Sequence, residues 1–513
     1  MVKDKFKSKS GFILASIGAA VGLGNALRFP GLCAKYGGGA FLLIYFAALI
    51  ILGLPLLNAE IALGRKYKSG APVCMSNTVK KFRALGGAVG WASGLNSVFT
   101  AIIYAGLAGW IIAAAGSFAP LAINAPQMTQ PEISAYFFSK VLHARIDGII
   151  DGISPVVLAC IAAAWVIMYF CLKGGAGSLA KAARFTVIIP MALLALMAGR
   201  GLLYENSGEA LAALFIPDFS CLSRPDLWLT ALGQVFFSLS IVVGIMPVYG
   251  SYLPAGSNIF GCSLAVAAAD FGVSALASVV LFTTLYGTGL QGAIGSSGII
   301  TAFAVYPAAL TALFGGNVAL NAVAGVIFYL SLAMMAVQSA VSMLEAFVSP
   351  FSEARGKNKK PLVTKLCLVG GAVSVVFATT AAPLIVEISD NFVNFYNVLA
   401  LGIAEGLILA FSDKTPELIR EINAFSKKIK LPAKLFNFSA RFLCPAVLVS
   451  LSALEISRLV NSPPDYPIYL VFTFGICVSA LIIILAAVLS RLFSTTTPFL
   501  GEKAVLPSKY MQN

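Results

Sequence analysis

Residues 18–30 read Gly-Ala-Ala-Val-Gly-Leu-Gly-Asn-Ala-Leu-Arg-Phe-Pro. This stretch lies inside the first apolar segment of the chain, yet it carries three glycines, an amide and an arginine. In hydrocarbon each unsatisfied backbone group costs several kcal/mol, so a helix is interrupted only where protein or a solvated cavity satisfies the freed carbonyls. The stretch therefore predicts a broken membrane helix whose free carbonyls suit a small cation.

The composition is that of a polytopic membrane protein. Of 513 residues, 59% are hydrophobic and 11% are charged, whereas soluble domains carry about 25% charged residues. We count twelve apolar stretches of roughly 20 residues, the length that crosses about 30 Å of hydrocarbon. The chain is therefore predicted to be an all-α protein with twelve transmembrane helices, located in the inner or plasma membrane.

The basic residues predict the orientation of these helices. Most of the 35 lysines and arginines fall in loops that are cytoplasmic if both termini lie inside, and positively charged loops stay on that side. A net charge of +14 also suits a nucleic-acid-binding protein, but the positive-inside bias accounts for it, and we predict no nucleic-acid partner. The first apolar stretch continues past Arg28 without a small-residue cleavage site, so we expect it to be retained.

Residues typical of enzymes and metal centres are sparse. The nine cysteines are scattered singly, and their spacing fits neither a disulfide framework nor a zinc site. The single histidine, His143, falls in a predicted outer loop. We find no nucleophile–base pair, phosphate loop or metal cluster, so we expect neither an enzyme nor an organic cofactor.

Helix six is interrupted like helix one. It reads Gln234-Val-Phe-Phe-Ser-Leu-Ser-Ile-Val-Val-Gly-Ile-Met-Pro247. An offset of five helices, an odd number, means that the second unit enters the bilayer from the opposite side, as in a 5+5 inverted repeat. Paired interrupted helices indicate a binding site near the midplane, although small residues also allow close helix packing.

This organisation divides the chain into seven predicted parts. They are a cytoplasmic segment (1–10), a first repeat of helices one to five (11–205), an extracellular loop (206–228), a second repeat of helices six to ten (229–412), a basic cytoplasmic loop (413–439), helices eleven and twelve (440–493) and a cytoplasmic tail (494–513).

Five acidic residues fall within or beside the predicted spans, where an ionised group by default marks an ion or substrate path. Glu60, Glu345 and Glu405 also suit capping or interhelical hydrogen bonds. Asp270 and Asp390, together with Arg28, are the stronger candidates for the path.

The chain resembles the neurotransmitter:sodium symporters, in their bacterial amino-acid-transporting branch, over about residues 5–412. The resemblance rests on Gly22-Leu-Gly-Asn-Ala-Leu-Arg-Phe-Pro30, Gly37-Gly-Gly-Ala-Phe41, Gly53-Leu-Pro-Leu56, Glu60-Ile-Ala-Leu-Gly-Arg65, Tyr104 with Gly109-Trp110, Gln234-Val-Phe-Phe-Ser-Leu-Ser240, Ser251-Tyr252 and Ser339-Ala-Val-Ser-Met-Leu-Glu345. It implies a LeuT-like fold with discontinuous helices one and six.

The resemblance implies a first sodium site. Its ligands would be the Ala20 carbonyl, the Asn25 amide oxygen, Ser238, Asp270 and the carboxylate of the bound amino acid, since a hard cation selects oxygen. Chloride-dependent members bind an anion near the position of Ser274, which Asp270 could replace, so we expect chloride-independent transport. Alternatively, Asp270 only holds a helix interface.

A second sodium site is implied but altered. It would use the carbonyls of Gly18, Val21 and Met335 with two hydroxyls on helix eight, where this chain has Gln338 and Ser339. One hydroxyl ligand is missing. The glutamine oxygen could replace it, or the site could be weakened or lost.

The resemblance also implies a substrate site and two gates. Backbone amides and Tyr104 would bind a carboxylate, carbonyls an ammonium, and a mostly apolar surface the side chain; those apolar residues could equally be ordinary core. The implied substrate residues are Ala20, Leu23, Gly24, Thr100, Tyr104, Phe237, Ser238, Ser240, Val242, Val243, Ser339 and Met343. The implied gates are Arg28, Asp390 and Phe237 outside, and Lys3, Phe6, Tyr252 and Glu353 inside, where lysine and phenylalanine predict a weak latch.

The sequence as a whole therefore predicts a sodium-coupled symporter that imports a neutral, apolar amino acid by alternating access. A channel and a non-transporting amino-acid sensor remain alternatives on the same scaffold. Expected partners are the amino acid and membrane lipid, and helices eleven and twelve could contact lipid or a second copy in a homodimer.

Overall fold

The computed structural model of this chain describes residues 5–145, 147–290, 298–426, 429–461 and 464–493. Across these residues the chain is almost entirely helical, and strand-like pairing is limited to two isolated bridges, Gly38 with Pro217 and Ile153 with Thr379. The predicted gate residue Lys3 and the predicted tail 494–513 lie outside the described residues. The all-α prediction is confirmed.

Ten continuous helices in the described part are long and apolar enough to cross a membrane, and one bent pair adds an eleventh crossing. The remaining predicted span corresponds to two shorter helices on either side of residues 239–244. In chain order the helices are α1a (Lys9–Ala20), α1b (Gly24–Lys35), α2 (Gly39–Tyr67), α3 (Arg83–Gln127), α4 (Pro155–Leu172), α5 (Ala176–Gly201), α6a (Pro225–Ser238), α6b (Ile245–Tyr252), α7 (Ile259–Gly287), α8 (Val318–Arg355), α9 (Lys359–Ala378), α10 (Ala382–Ala410), α11 (Ala433–Asn461) and α12 (Ile468–Phe493).

Shorter helices lie in the connections. They are Ala71–Thr78, Gln130–Tyr136, Ser207–Phe215, Thr301–Thr311 and Thr415–Asn423.

Side-chain caps fix where several helices begin. Ser8 accepts a hydrogen bond from the Gly11 N–H at the start of α1a, and Asn258 and Asn317 cap α7 and α8 in the same way. These caps satisfy N–H groups that have no partner within the helix. α8 stops at Gly356, whose φ of 62° is the left-handed conformation that glycine adopts without steric cost.

The helix contacts repeat after an offset of five. α1 packs on α7 as α6 packs on α2, α5 packs on α8 as α10 packs on α3, and α3 contacts α4 as α8 contacts α9. Each contact thus has a counterpart five helices later. Two five-helix units with the same arrangement of helices produce such a pattern. α3 and α8 lie side by side at the centre, with the broken helices against them.

Backbone contacts fix α6b against α2. A Cβ atom on Gly64 would lie 1.9 Å from the Pro247 carbonyl oxygen, and one on Gly250 would lie 2.3 Å from the Ile61 carbonyl oxygen. Only glycine permits such an approach. The half-helix after the break is therefore held at a defined depth beside α2.

The helices at the centre of the bundle are the most buried, and burial decreases towards its edge. In the most apolar window, 83% of α3 is buried, against 17% of α12. The outer helices expose large apolar side chains, among them Phe442 in α11 and Ile483 in α12. Such a surface suits hydrocarbon rather than water.

Candidate functional site

The break in α1 releases a backbone carbonyl. Between α1a and α1b, Val21 is extended (φ −80°, ψ 105°) and the two halves are bent by 51°. The Gly22 N–H, which in a continuous helix would donate to the Gly18 carbonyl, donates instead to Asn25 Oδ1 at 3.0 Å. The Gly18 carbonyl oxygen thereby loses its helical partner and becomes available to another group.

Residues 239–244 break α6, and neighbouring side chains hold the broken backbone. Ser240 and Val242 have positive φ angles of 51° and 75°, which are rare for residues with a Cβ atom. The Ser240 hydroxyl donates to the Ala19 carbonyl at 2.8 Å, and Glu60 Oε1 accepts from the Val242 N–H at 2.6 Å. The two breaks are thus tied to each other and to α2.

Asp270 of α7 lies fully buried between the two breaks. Its Oδ1 accepts from Asn25 Nδ2 at 2.8 Å and from the Ser238 hydroxyl at 2.6 Å, and its Oδ2 accepts from the Tyr45 hydroxyl at 2.8 Å. Ser274 contacts the same Asn25 nitrogen at 2.8 Å. In the described part of the chain these hydrogen-bond partners are all neutral, and a buried carboxylate with neutral partners favours a nearby cation.

The three predicted side-chain ligands of the first sodium therefore lie together. They are Asn25, Ser238 and Asp270. The Asn25 oxygen already accepts from Gly22, so it has one lone pair left for a cation. The hydrogen bond from Tyr45 to Asp270 was not predicted. The sequence indicates it only through the presence of a phenol within an apolar span.

A cavity lies between the two breaks, α3, α8 and α10. Val242, which was predicted to line it, is not among the lining residues; its Cγ2 lies against Gly402 of α10 because the positive φ turns the side chain away. Leu23 is also absent from the lining. Of the predicted substrate residues, those that line it are Ala20, Gly24, Thr100, Tyr104, Phe237, Ser238, Ser240, Val243, Ser339 and Met343.

Asn394 of α10 is a lining residue that the sequence reasoning missed. Its Oδ1 accepts from the Thr100 hydroxyl at 2.6 Å, and its Nδ2 donates to Asp390 Oδ1 at 2.7 Å. Asn394 lies one turn after Asp390, on the same helix face, which is the signal that could have revealed it. Asn394 and Ser97 make the α3–α10 wall more polar than predicted.

An aromatic ring separates the cavity from the predicted outer gate. The Phe237 ring lies directly on Gly24, with a ring carbon 2.5 Å from where a Cβ atom would stand. The exposed Arg28 places its guanidinium 5.2 Å from the centre of that ring. Within the described residues Arg28 makes no ion pair with Asp390, so the two predicted gate charges stand apart.

Phe6 is packed against α1a and α6b. It is 3% exposed, and its ring makes edge contacts with Phe12, Tyr249 and Tyr252 at centroid distances of 5.7–5.8 Å. Its N–H donates to the Tyr252 carbonyl at 3.1 Å. The phenylalanine at the predicted latch position is therefore held by three aromatic rings and one backbone hydrogen bond.

Two acids of α8 make polar contacts near the predicted inner latch. The Tyr252 hydroxyl donates to Glu345 Oε1 at 2.5 Å, and Lys359 pairs with the same oxygen at 3.0 Å. Glu353, the acid predicted to serve the latch, accepts from the Ser69 hydroxyl at 2.8 Å. Glu345 thus joins α6b and α9, whereas Glu353 contacts the segment that follows α2.

The predicted second sodium site lies where α1a meets α8. Gln338 Cγ is 2.7 Å from where a Cβ atom on Gly18 would stand, and Ser339 Oγ is 2.7 Å from the corresponding point on Gly22. Met335, one turn earlier on α8, is buried. Both helix-eight side chains therefore face the break in α1.

The sequence model of the "Sodium:neurotransmitter symporter family" matches residues 3–126 and 113–497 of this chain. A curated relative from Methanocaldococcus jannaschii, "Uncharacterized sodium-dependent transporter MJ1319", is 30% identical over 472 residues, which cover 90% of this chain and 92% of that protein. The mouse "Sodium-dependent neutral amino acid transporter B(0)AT3" is 31% identical over 298 residues, covering 55% of this chain and 48% of its own.

Among solved structures, the fold is similar to that of MhsT in its crystal structure with L-phenylalanine. The TM-score is 0.73 at 23% sequence identity, and the match covers 88% of this chain and 99% of MhsT. At this identity the likeness concerns the fold, and it agrees with the LeuT-like fold that the family resemblance implies.

The hydrogen bond from Val242 to Glu60 predicts a stability difference between two substitutions. Glu60→Leu leaves the buried N–H without a partner and is expected to destabilise the protein by about 1–3 kcal/mol. Glu60→Gln keeps an acceptor oxygen and should lower the thermal midpoint much less. Thermal unfolding in detergent, followed by size-exclusion chromatography, measures both. Glu205→Leu, at an exposed position, is the control, and equal midpoints for the two Glu60 variants would contradict the role.

Proposed function

This chain belongs to the sodium:neurotransmitter symporter family, a family of sodium-dependent transporters in the membrane, and we propose that it imports a neutral, mainly apolar amino acid together with sodium. The proposed mechanism is alternating access around a fixed site at the midplane of the inner or plasma membrane. The observation that carries this proposal is the buried Asp270 carboxylate at the two helix breaks.

Asp270 supports sodium binding through charge and geometry. A carboxylate removed from water needs a compensating charge, and its partners Asn25 and Ser238 carry oxygen atoms, which sodium prefers over nitrogen or sulfur. Ala20 lines the same cavity. We propose that these four residues hold one sodium ion and that the substrate carboxylate completes its shell. Asp270 also supplies the fixed negative charge expected of chloride-independent transport.

The shape of the cavity supports an amino acid as the cargo. The start of α1b at Gly24 is a helix N-terminus, whose backbone N–H groups favour a carboxylate, and Tyr104 lines the same cavity. Phe237, Val243 and Met343 offer an apolar surface for a side chain, and none of the lining residues is charged. B(0)AT3 is named a neutral amino acid transporter and MhsT was solved with phenylalanine, and both support the same class of substrate.

The two sides of the site support alternating access. Inside, Phe6 is packed under α6b, and Glu345 pairs with Lys359. Outside, Arg28 and Asp390 stand apart with only the Phe237 ring between Arg28 and the cavity. We propose that closure brings Arg28 to Asp390 over Phe237, while release of the inner contacts opens the opposite path.

Flux of radiolabelled amino acids into proteoliposomes tests the function. A thermal-shift screen of the twenty amino acids, in sodium or potassium, first identifies the ligand. We then expect uptake that requires an inward sodium gradient and persists when gluconate replaces chloride. Sodium-dependent binding without flux would identify a sensor and contradict transport, single-channel currents would indicate a channel, and loss of uptake in gluconate would contradict chloride independence.

Removing the charge of Asp270 should weaken sodium binding. Asp270→Asn keeps the shape and one acceptor oxygen, but it removes an interaction that contributes roughly 1–4 kcal/mol at 4 Å. The sodium concentration for half-maximal uptake should therefore rise at least about fivefold. Asp226→Asn, which removes a carboxylate paired with Arg224 at the start of α6a, should leave it unchanged. If Asp270→Asn needs the same sodium concentration for half-maximal uptake as the wild type, Asp270 does not bind sodium and only holds a helix interface.

The polar wall around Asn394 should contribute to substrate affinity. Asn394→Leu removes the acceptor of Thr100 and the donor to Asp390. We expect the apparent affinity for the transported amino acid to fall about three- to tenfold, the size of one or two lost hydrogen bonds. Asn391→Leu, on the same helix but outside the cavity lining, is the matched control, and equal effects of both substitutions would count against a role of Asn394 in the site.

A further inference from the structure

The hydrogen-bond ladder of α10 changes register in the middle of the helix. Residues Asn391–Tyr396 form a π-helical segment, which we call the π-turn, and the N–H of Asn397 donates to the Phe392 carbonyl. In a regular α-helix the same N–H would donate to the Val393 carbonyl. The π-turn therefore deprives the Val393 carbonyl of its α-helical donor, and inside a membrane such a carbonyl needs another partner.

The side chain of Asn96 in α3 supplies this partner. Its Nδ2 donates to the Val393 carbonyl oxygen at 3.0 Å, and its Oδ1 accepts from Asn397 Nδ2 at 3.1 Å. Because a carbonyl can only accept, the nitrogen of Asn96 must face Val393. Asn96 is 0% exposed, so water does not replace these bonds. Both ends of one buried amide are thus bound to α10, across the end of the π-turn.

The π-turn lies next to groups of the proposed outer gate and of the cavity. Asp390 directly precedes it, and Asn394, which lies within it, donates to Asp390 Oδ1 at 2.7 Å. Asn394 also accepts from Thr100, one turn after Asn96 on α3. A π-turn contains one residue more than the α-helical turn that it replaces. Since each residue turns an α-helix by about 100°, loss of the π-turn would rotate Asp390 by about that angle relative to the residues after it.

We propose that Asn96 is a positioning residue that stabilises the π-turn of α10 and thereby sets the direction of Asp390. The inference rests on the proposed function, in which Arg28 and Asp390 close the outer side. Without the Asn96 amide, the Val393 carbonyl regains a backbone donor when α10 takes the regular α-helical register, and this change turns Asp390 away from Asn394. Asn96 is not among the residues that line the cavity, so it acts through α10 rather than by contact with the substrate.

A double-mutant cycle tests the proposal. The measured quantity is the maximal rate of uptake by the full-length protein in proteoliposomes, per amount of folded protein, for the radiolabelled amino acid that gives the largest sodium-dependent thermal shift. Asn96→Leu removes both hydrogen bonds at similar volume, and we expect it and Asp390→Asn each to lower the rate about tenfold. Because Asp390 is already displaced in Asn96→Leu, adding Asp390→Asn should lower the rate by less than about twofold more. Independent effects would multiply to about a hundredfold and would overturn the proposal.

Asn397→Leu tests the same bridge more gently. It removes only the donor to Asn96 Oδ1 and leaves the bond from Asn96 to Val393. The maximal rate should fall about threefold, and Asp390→Asn should again add little to this loss. This variant decides the question if Asn96→Leu does not fold, which size-exclusion chromatography and the thermal midpoint of the purified variants show. Full additivity with Asp390→Asn would overturn the proposal here as well.

Asn58 of α2 provides the matched control. It is likewise 0% exposed, but its Nδ2 donates to the Leu54 carbonyl of its own helix, at 2.7 Å. Asn58→Leu should keep the wild-type rate, and Asp390→Asn should have its full effect in that background. An unchanged rate in Asn96→Leu, or no effect of Asp390→Asn alone, would overturn the positioning role while sodium-driven uptake by the wild type stands. A wild type that takes up no amino acid would instead overturn the proposed function.

Discussion

The structure depends on one constraint, which is that a backbone broken inside a membrane must find partners for its polar groups. At the breaks in α1 and α6, the exposed N–H groups find acceptors within the protein: Asn25 serves Gly22, and Glu60 serves Val242. The freed carbonyls are only partly served, with Ser240 donating to Ala19. The freed carbonyls and the buried Asp270 carboxylate thus place oxygen lone pairs close to the two breaks, and oxygen ligands are what a hard cation prefers.

The packing around the breaks explains why they persist. Val242 has a φ of 75°, which costs free energy for a β-branched residue and survives only where the surroundings over-determine it. α6b is fixed against α2 by the backbone contact at Gly64, and the same α2 carries Glu60, which holds the Val242 N–H. One helix therefore sets both the depth of α6b and the conformation of the break.

The sequence could predict the broken helices and the paired repeat, because polar residues within apolar spans are visible in it. For the same reason it could predict the cluster of Asn25, Ser238 and Asp270. The features that could not be predicted depend on how each helix is rotated about its axis and on which rotamer each side chain adopts. Asn394 contributes through contacts with residues of a distant helix, and Val242 leaves the cavity through a backbone angle that periodicity does not encode.

The proposed sodium position joins three helices beside the cavity. Asn25, Ser238 and Asp270 belong to α1, α6 and α7, and Asn25 and Ser238 line the cavity. A cation bound there would therefore contact an anion held in the cavity. If the substrate carboxylate completes that shell, each ligand must raise the affinity of the other by the same factor. Coupling between ion and cargo would then follow from the position of the two helix breaks around one buried carboxylate.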